Sequence, residues 1–417
     1  VTDDERTRAT VETIWRIEAP RLIGGLVRFT GDLDRAEDMA QDALLAALEK
    51  WPASGIPSNP GAWLMTTAKN RAVDAARRRR MVDTKHDEIA RTSELFQPPD
   101  VVVDASPVTD DVLRLMLTAC HPVLSREARV ALTLRLVAGL TTAEIARAFL
   151  TSEATLAQRL VRAKRTLAEA RVPFEIPAGD ALHERVPAVL EVLYLIFNEG
   201  YSATAGDDWI RPALCEESMR LGRVLAELIP GEAEVHGLVA LMELQASRLR
   251  TRVGADGEPV LLLDQPRARW DHMLITRGFA ALARAERLAR PLGLYTLQAA
   301  IAACHARART PADTDWARIA ALYDALLEVT GSPVVALNRA MAVSMLDGPA
   351  AALPLVEALA EEPALQKYHW LPSARADLLV KLGRYEEARA QFQRAAELAP
   401  TERERQVLLA RALSARA

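Results

Sequence analysis

The sequence predicts an all-α protein: two small helical domains joined by a linker, then a large helical-repeat extension carrying one short hairpin. Three observations predict it. Ala, Leu, Arg and Glu dominate, and apolar residues recur at spacings of three and four, while alternating strand patterns are rare. A chain of 417 residues, half of them apolar, can fill more than one core. A stretch with Pro98-Pro99, Pro107 and an excess of acids separates two of the helical segments.

Taken in order, residues 1–80 form a compact helical unit whose only strong break is the Pro/Gly/Ser/Asn loop at Pro52–Gly61. Residues 81–111 hold the prolines and read as an acidic linker. Residues 112–172 form a second small unit, closed by Pro173 and Pro177. Residues 180–417 form the extension. Within it, Asp256-Gly257 between extended flanks over Arg248–Leu263 predicts the hairpin. Asn198-Glu199-Gly200 predicts a helix C-cap flanked by core residues Phe197 and Tyr201. Near the end, Leu382-Gly383-Arg384-Tyr385 followed by Ala388, Phe392, Ala395 and Pro400 has the spacing of a tetratricopeptide repeat. Asp347, Ala352 and Val356 echo it upstream. One repeat cannot bury its own apolar face, so diverged helical pairs are expected before it.

Charge must be read locally. The total is −4, which by itself argues against a nucleic-acid binder. Residues 51–80 carry 6 basic and 1 acidic side chains, and residues 112–171 carry 10 and 4. Residues 81–111 reverse this, with 2 basic against 8 acidic. Two basic blocks, each on a helical motif, are thus hidden in a near-neutral sum.

Three motifs carry chemistry. On the helix from Leu33 to Lys50, Ala36, Ala40, Ala43, Leu44 and Ala47 make an apolar face, and Asp38, Gln41, Asp42 and Leu45 make a separate stripe. That stripe is either solvated or a docking face for a basic partner helix. Next, Asn59 and Pro60 open a helix through Trp63, Lys69, Asn70 and Arg71 to the run Arg77–Arg80. Aromatic, amide and guanidinium groups suit single-stranded nucleic acid; the alternative is a core Trp and a solvated helix end. Third, Thr141 and Glu144 have capping-box spacing, Leu150 sits near the turn, and Ser152 can cap a second helix with Ala154, Thr155, Gln158, Arg159, Arg162, Lys164 and Arg165. This is a helix-turn-helix pattern, whose second helix offers the side chains that read adenine and guanine edges in the major groove.

Enzymatic constellations do not emerge. The seven histidines lack metal-ligand spacing, Cys120-His121 and Cys304-His305 are adjacent pairs that fit buried helical Cys better than zinc, and no phosphate loop or nucleophile elbow is present. No catalytic residue, metal or cofactor is expected. Three scattered cysteines, no apolar run of membrane length and an acidic, polar start (VTDDERTRAT) predict a cytoplasmic, non-membrane protein.

The three motifs, in this order, resemble an extracytoplasmic-function (ECF) sigma factor of bacterial RNA polymerase. The strings are GDLDRAEDMAQDALLAALEKW, NPGAWLMTTAKNRAVDAARRRR and REARVALTLRLVAGLTTAEIARAFLTSEATLAQRLVRAKRTL, similar to sigma regions 2.1–2.2, 2.3–2.4 and 4. The resemblance covers about two fifths of the chain. It implies that Asp38, Gln41, Asp42 and Leu45 dock on the β′ clamp of core polymerase. It also implies that the loop Pro52–Pro60 captures a flipped −10 base, a way of stabilising opened duplex, and that Asn59, Trp63, Lys69, Asn70, Arg71, Arg77 and Arg78 contact the opened −10 DNA. Ser152, Thr155, Gln158, Arg159, Arg162 and Arg165 would meet the −35 element, with region 4 near the β flap. The linker would thread polymerase channels that normally hold nucleic acid. Typical members end soon after region 4. This chain resembles the subgroup with a tetratricopeptide-like (TPR-like) extension, a site for a regulatory protein partner or an intramolecular brake. The alternative is a helix-turn-helix regulator with a TPR-type sensor.

Overall fold

The computed structural model describes residues 3–83, 108–149, 151–177, 179–201, 210–254, 260–399 and 402–415. It divides into two compact units, Val1–Leu193 and Tyr194–Ala417. The described residues are helical with no strand longer than a single bridge.

In the first unit, α1 (Asp3–Thr30), α2 (Leu33–Ser54) and α3 (Pro60–Asp83) make one helical group. Asp32 caps α2 by accepting the Arg35 N–H, and Asn59 Oδ1 accepts the Ala62 N–H at the start of α3. Of the expected apolar face of α2, Ala36, Ala40, Ala43 and Ala47 are buried together with Met39 and Trp51, and Leu44 is half-buried. Leu22, Ile23 and Leu26 of α1 and Leu64 and Ala68 of α3 complete that core.

The second group is α4 (Val108–Ala119), α5 (Arg126–Leu136), α6 (Thr142–Ala148) and α7 (Glu153–Glu169). Leu115, Leu132, Leu134, Ile145, Leu156 and Leu160 are its buried centre. The linker expected over 81–111 is shorter at both described ends. Helix α3 runs on to Asp83, and α4 already begins at Val108; residues 84–107 lie outside the described set. Asp111, counted among the linker acids, sits in the first turn of α4, where its carboxylate pairs with Arg114 at 2.7 Å.

Helix α8 (Asp180–Tyr201) carries the division between units. Its first part belongs to the first unit, where Arg185 donates to the Leu117 carbonyl (2.9 Å) and Glu191 pairs with Arg126 (3.0 Å) and Arg129 (3.1 Å). The boundary therefore falls inside α8, after the start at 180 expected from sequence.

The second unit continues through α9 (Pro212–Leu228), α10 (Ala233–Ala246), α11 (His272–Leu288), α12 (Leu294–Arg307), α13 (Trp316–Thr330), α14 (Pro333–Asp347), α15 (Pro349–Ala358), α16 (Trp370–Lys381), α17 (Tyr385–Leu398) and α18 (Glu402–Ser414). Helix α10 is buried almost all round and packs on α9, α11 and α12. From α13 onward each helix packs chiefly on its sequence neighbours, the nearest-neighbour arrangement of a TPR-like solenoid. The repeat signature falls on α16–α17: Gly383 makes the turn, and Ala388, Phe392 and Ala395 are buried. Ala352 and Val356 are buried on α15. Pro400 lies outside the described residues.

Two local expectations need correction or restriction. Asn198-Glu199-Gly200 does not end a helix, because α8 continues to Tyr201. A Cβ on Gly200 would lie 2.7 Å from the Cys215 amide nitrogen and 2.9 Å from the Arg211 carbonyl oxygen, so the glycine permits the close approach of α9. The hairpin centre at Asp256-Gly257 lies outside the described residues. Its flanks are joined by the Val260 N–H donating to Arg252 (2.8 Å), with a 3-10 turn at Leu249–Thr251 in place of a strand.

Candidate nucleic-acid interface

Helix-turn-helix geometry is built from local hydrogen bonds. Glu144 Oε2 accepts the Thr141 N–H and hydroxyl (2.8 Å each), and Thr141 Oγ1 accepts the Glu144 N–H (3.1 Å), closing a reciprocal capping box at α6. Ser152 Oγ accepts the Thr155 N–H (3.1 Å), and the two hydroxyls lie 2.8 Å apart. Between them, Thr151 N–H returns to the Ala146 carbonyl, while Leu150 lies outside the described residues. Leu156, Leu160, Ala163 and Leu167 of α7 face inward, with Ile145 of α6 buried as expected.

That burial turns the other side of α7 outward. Ser152, Thr155, Gln158, Arg162 and Arg165 are exposed and Arg159 is half-buried. Thr155, Gln158, Arg162 and Arg165 follow helical spacing along one stripe. Arg165 holds Glu169 at 2.7 Å on the surface, a pair that phosphate oxygens can displace cheaply. Val161, exposed on the same helix, was not singled out by sequence; an apolar tip there suits a thymine methyl.

On α2, Asp38 and Asp42 are exposed, Leu45 is 54% exposed and Gln41 is half-buried. An exposed leucine between carboxylates gives a mixed apolar and acidic face. Gln41 is not idle: its amide donates to Glu37 (3.0 Å).

The third candidate set is less uniform. Asn59 and Asn70 are exposed, but Asn59 also serves as the cap of α3. Trp63 is half-buried and meets Trp51 edge-on at 5.3 Å. Lys69 lies 5.2 Å from the Phe29 ring centre. Arg71 donates to the Asp42 carbonyl (2.8 Å) and lies 3.7 Å from Glu49, tying α3 to α2. Arg77 and Arg78 fall within α3, their side chains outside the described set. The rim of this surface thus presents polar groups to solvent, and the aromatic and two of the cations are held in place by neighbours.

Sequence reading missed Glu37 and Arg135, and placed Lys164 on the second helix of the motif without its carboxylate partner. Glu37 is 7% exposed, and its carboxylate accepts Arg135 Nε–H (2.6 Å) and Lys164 Nζ–H (3.1 Å). Burial alone would raise its pKa, but Lys164 and Arg135 together pull it below the usual glutamate value. A charged residue on an otherwise apolar helix face was the available signal.

Cys120 is buried beside Thr133 Oγ1 at 3.2 Å, and burial pushes its thiol up to about 11. Among the described residues, no three His, Cys, Asp or Glu side chains are grouped to hold a metal, and no helix is long and apolar enough to cross a membrane.

Three stretches of the chain match known families. Residues 14–81 match Sigma-70 region 2, residues 114–167 match Sigma-70 region 4, and residues 185–286 match a family of unknown function (DUF6596). An uncharacterized protein of Rhizobium meliloti (strain 1021) is 45% identical over 386 residues, 91% of this chain and 90% of its own length. The ECF RNA polymerase sigma factor SigL of Mycobacterium tuberculosis is 31% identical over 142 residues, 34% of this chain and 77% of SigL. Among solved structures, yeast Tom70 overlaps 95% of this chain and 82% of its own at a TM-score of 0.31 and 13% identity, a likeness too low to argue from.

Proposed function

We propose, because this chain belongs to the family of ECF RNA polymerase sigma factors, that α2 docks it on core polymerase, α3 holds opened −10 DNA and α7 reads the −35 duplex. The exposed stripe of α7 carries the reading. Thr155, Gln158, Arg162 and Arg165 stand on a helix fixed by the Ser152 cap and by its buried leucines, so base-reading groups are presented on a rigid element. On α2, the exposed Asp38 and Asp42 with Leu45 between turns suit a basic helix of the polymerase clamp, with charge setting orientation and Leu45 supplying apolar contact. On α3, exposed Asn70 and half-buried Trp63 support capture of unstacked bases. The second unit, a solenoid of neighbouring helices, is the regulatory module, presenting a surface to a protein partner.

The test is run-off transcription with purified core polymerase on promoters of the chain's own regulon. Specific transcripts are expected. The double charge reversal Asp38→Lys, Asp42→Lys should abolish polymerase binding while leaving duplex binding by α7 intact. Unimpaired polymerase binding by that variant would refute the assignment of α2 and favour a helix-turn-helix regulator that acts beside a sigma factor.

A further inference from the structure

On the surface of the second unit, Arg384 pairs with Glu387 and Arg394 with Glu397, each acid three positions along its helix. Three other arginines break that habit. Arg307 at the end of α12, Arg309 just beyond it and Arg318 in the first turn of α13 are exposed, and with Asp313 and Asp315 they line one cavity of about 350 Å³. Among the described residues, no ion pair engages any of the three guanidinium groups. Asp315 has the spacing to pair with Arg318 but caps α13 instead, its Oδ1 accepting the Arg318 N–H at 2.9 Å. Asp313 is also engaged locally, its Oδ2 accepting the Thr310 N–H (2.9 Å) and hydroxyl (2.8 Å).

The frame that carries these groups is fixed. Arg267, 8% exposed, donates to the His305 (2.7 Å) and Ala308 (2.9 Å) carbonyls and to the Thr314 hydroxyl (3.1 Å), tying the end of α12 to the approach of α13. Its Nε is buried without a hydrogen-bond partner. The local field is positive: burial first, then Arg248 and Arg267, press the His305 imidazole down to about 4. Arg307 rests 5.1 Å from the Phe279 ring centre. Three guanidinium groups around one cavity on a pinned frame suit a phosphate, whose oxygens accept several charge-assisted hydrogen bonds at once.

We propose that this cavity binds a sugar phosphate, with Arg307, Arg309 and Arg318 holding the phosphate and Asp313 and Asp315 accepting the sugar hydroxyls. Each carboxylate has one oxygen in the hydrogen bonds above; the other, Asp313 Oδ1 or Asp315 Oδ2, has no donor among the described residues. Two acids beside three cations weaken the hold on a bare anion, so a ligand that brings hydroxyls together with its phosphate gains most. Among the described residues no aromatic side chain lines the cavity, which leaves a nucleobase without a stacking face. The volume lies at the low end of small-molecule pockets, which run from ~300 to ~1,000 Å³. The occupant would bridge α12 and α13, so its binding stabilises the second unit. This site stands independently of the sigma-factor reading of the first unit.

The test is isothermal titration calorimetry of the full-length chain with glucose 6-phosphate, glucose, inorganic phosphate and AMP as probes. Glucose 6-phosphate should bind about tenfold more tightly than inorganic phosphate, and glucose alone should not bind. Arg309→Gln and Arg318→Gln, both at exposed positions, should each weaken it about tenfold, while thermal unfolding of the unliganded chain stays unchanged. The double variant Asp313→Asn, Asp315→Asn keeps its capping acceptors. It should bind inorganic phosphate more tightly than the native chain does and lose the preference for the ester. No binding of glucose 6-phosphate, or binding that both arginine variants leave intact, would overturn the site. Equal affinity of the native chain for the ester and for inorganic phosphate would overturn the hydroxyl contacts. Tighter binding of AMP than of glucose 6-phosphate would overturn the choice of a sugar phosphate over a nucleotide.

Discussion

Ser152 is where folding and recognition separate most cleanly. Its hydroxyl accepts the Thr155 N–H at 3.1 Å and so satisfies one of the first amides of α7, yet the residue is exposed and buries no apolar surface. Ser152→Ala should therefore cost only the cap, about 1 kcal/mol, and Ser152→Gly a few tenths. One kcal/mol corresponds to roughly fivefold in an opening equilibrium. Hydrogen exchange at the first-turn amides of α7 should speed up by about that factor in Ser152→Ala and stay unchanged in Ser152→Asp, which keeps a capping oxygen. Duplex binding should rank differently. Aspartate adds a negative charge at the end of α7 proposed to face DNA, and one such charge ~4 Å from a phosphate costs about 1 kcal/mol in water. Anisotropy titrations with a −35 duplex should show Ser152→Asp about fivefold weaker than the native chain, although its helix is fully protected. Native affinity in Ser152→Asp would refute the placement of this helix end against DNA.

Glu37 predicts a pH signature. Its pKa is depressed in the folded chain, so its contribution to stability is present above the ordinary glutamate range and is lost as pH falls through the lowered value. Glu37→Gln should lower the stability of the first unit by about 1–3 kcal/mol at pH 7, and that gap in urea unfolding should close as the solution is acidified below pH 4.5. Gly200→Ala places a methyl 2.7 Å from the Cys215 amide and should cost about 1–3 kcal/mol in the thermal unfolding of the second unit. Phe392→Ala, at a position 2% exposed in the core with Ala376, Leu408 and Ala412, should cost about 3–5 kcal/mol in the same unit. A change under 1 kcal/mol there would contradict the repeat packing.

What sequence revealed here is what spacing within one or two turns decides. The capping box of Thr141 and Glu144, the Ser152 cap, the buried alanines of α2 and the small residues of α17 all follow from local period and hydrogen-bond reach. Gly200 shows the limit of that logic. Asn-Glu-Gly suits a helix end, but the deciding contact is the backbone of α9, beyond any local window. Glu37 shows it again, with partners 98 and 127 positions along the chain. Trp63 and Lys69 were visible as chemistry suited to DNA, but not their neighbours Trp51 and Phe29. The edge of the first unit was missed for a related reason: α8 is one continuous helix, and no break in composition marks where its packing partners change.

Those long-range partners change the meaning of the charge pattern. Residues 112–171 carry 10 basic side chains, which by sequence look like one DNA-facing block. In the folded unit, Arg135 and Lys164 turn toward Glu37, Arg114 toward Asp111, and Arg126 and Arg129 toward Glu191. Half of the block therefore holds the unit together, and the recognition stripe rests on Arg159, Arg162 and Arg165. In the proposed recognition by α7, that division of labour leaves few cations for phosphate and gives base reading by Gln158 and Arg162 a larger share of the affinity than the raw charge suggests. The same division makes the acidic residues of α2 dual in purpose. Asp38 and Asp42 are exposed, while Asp34 and Glu37 pair with cations of α5 and α7. A single helix thus carries one exposed acidic row, proposed to meet polymerase, and a second pair of acids held by the cations of α5 and α7.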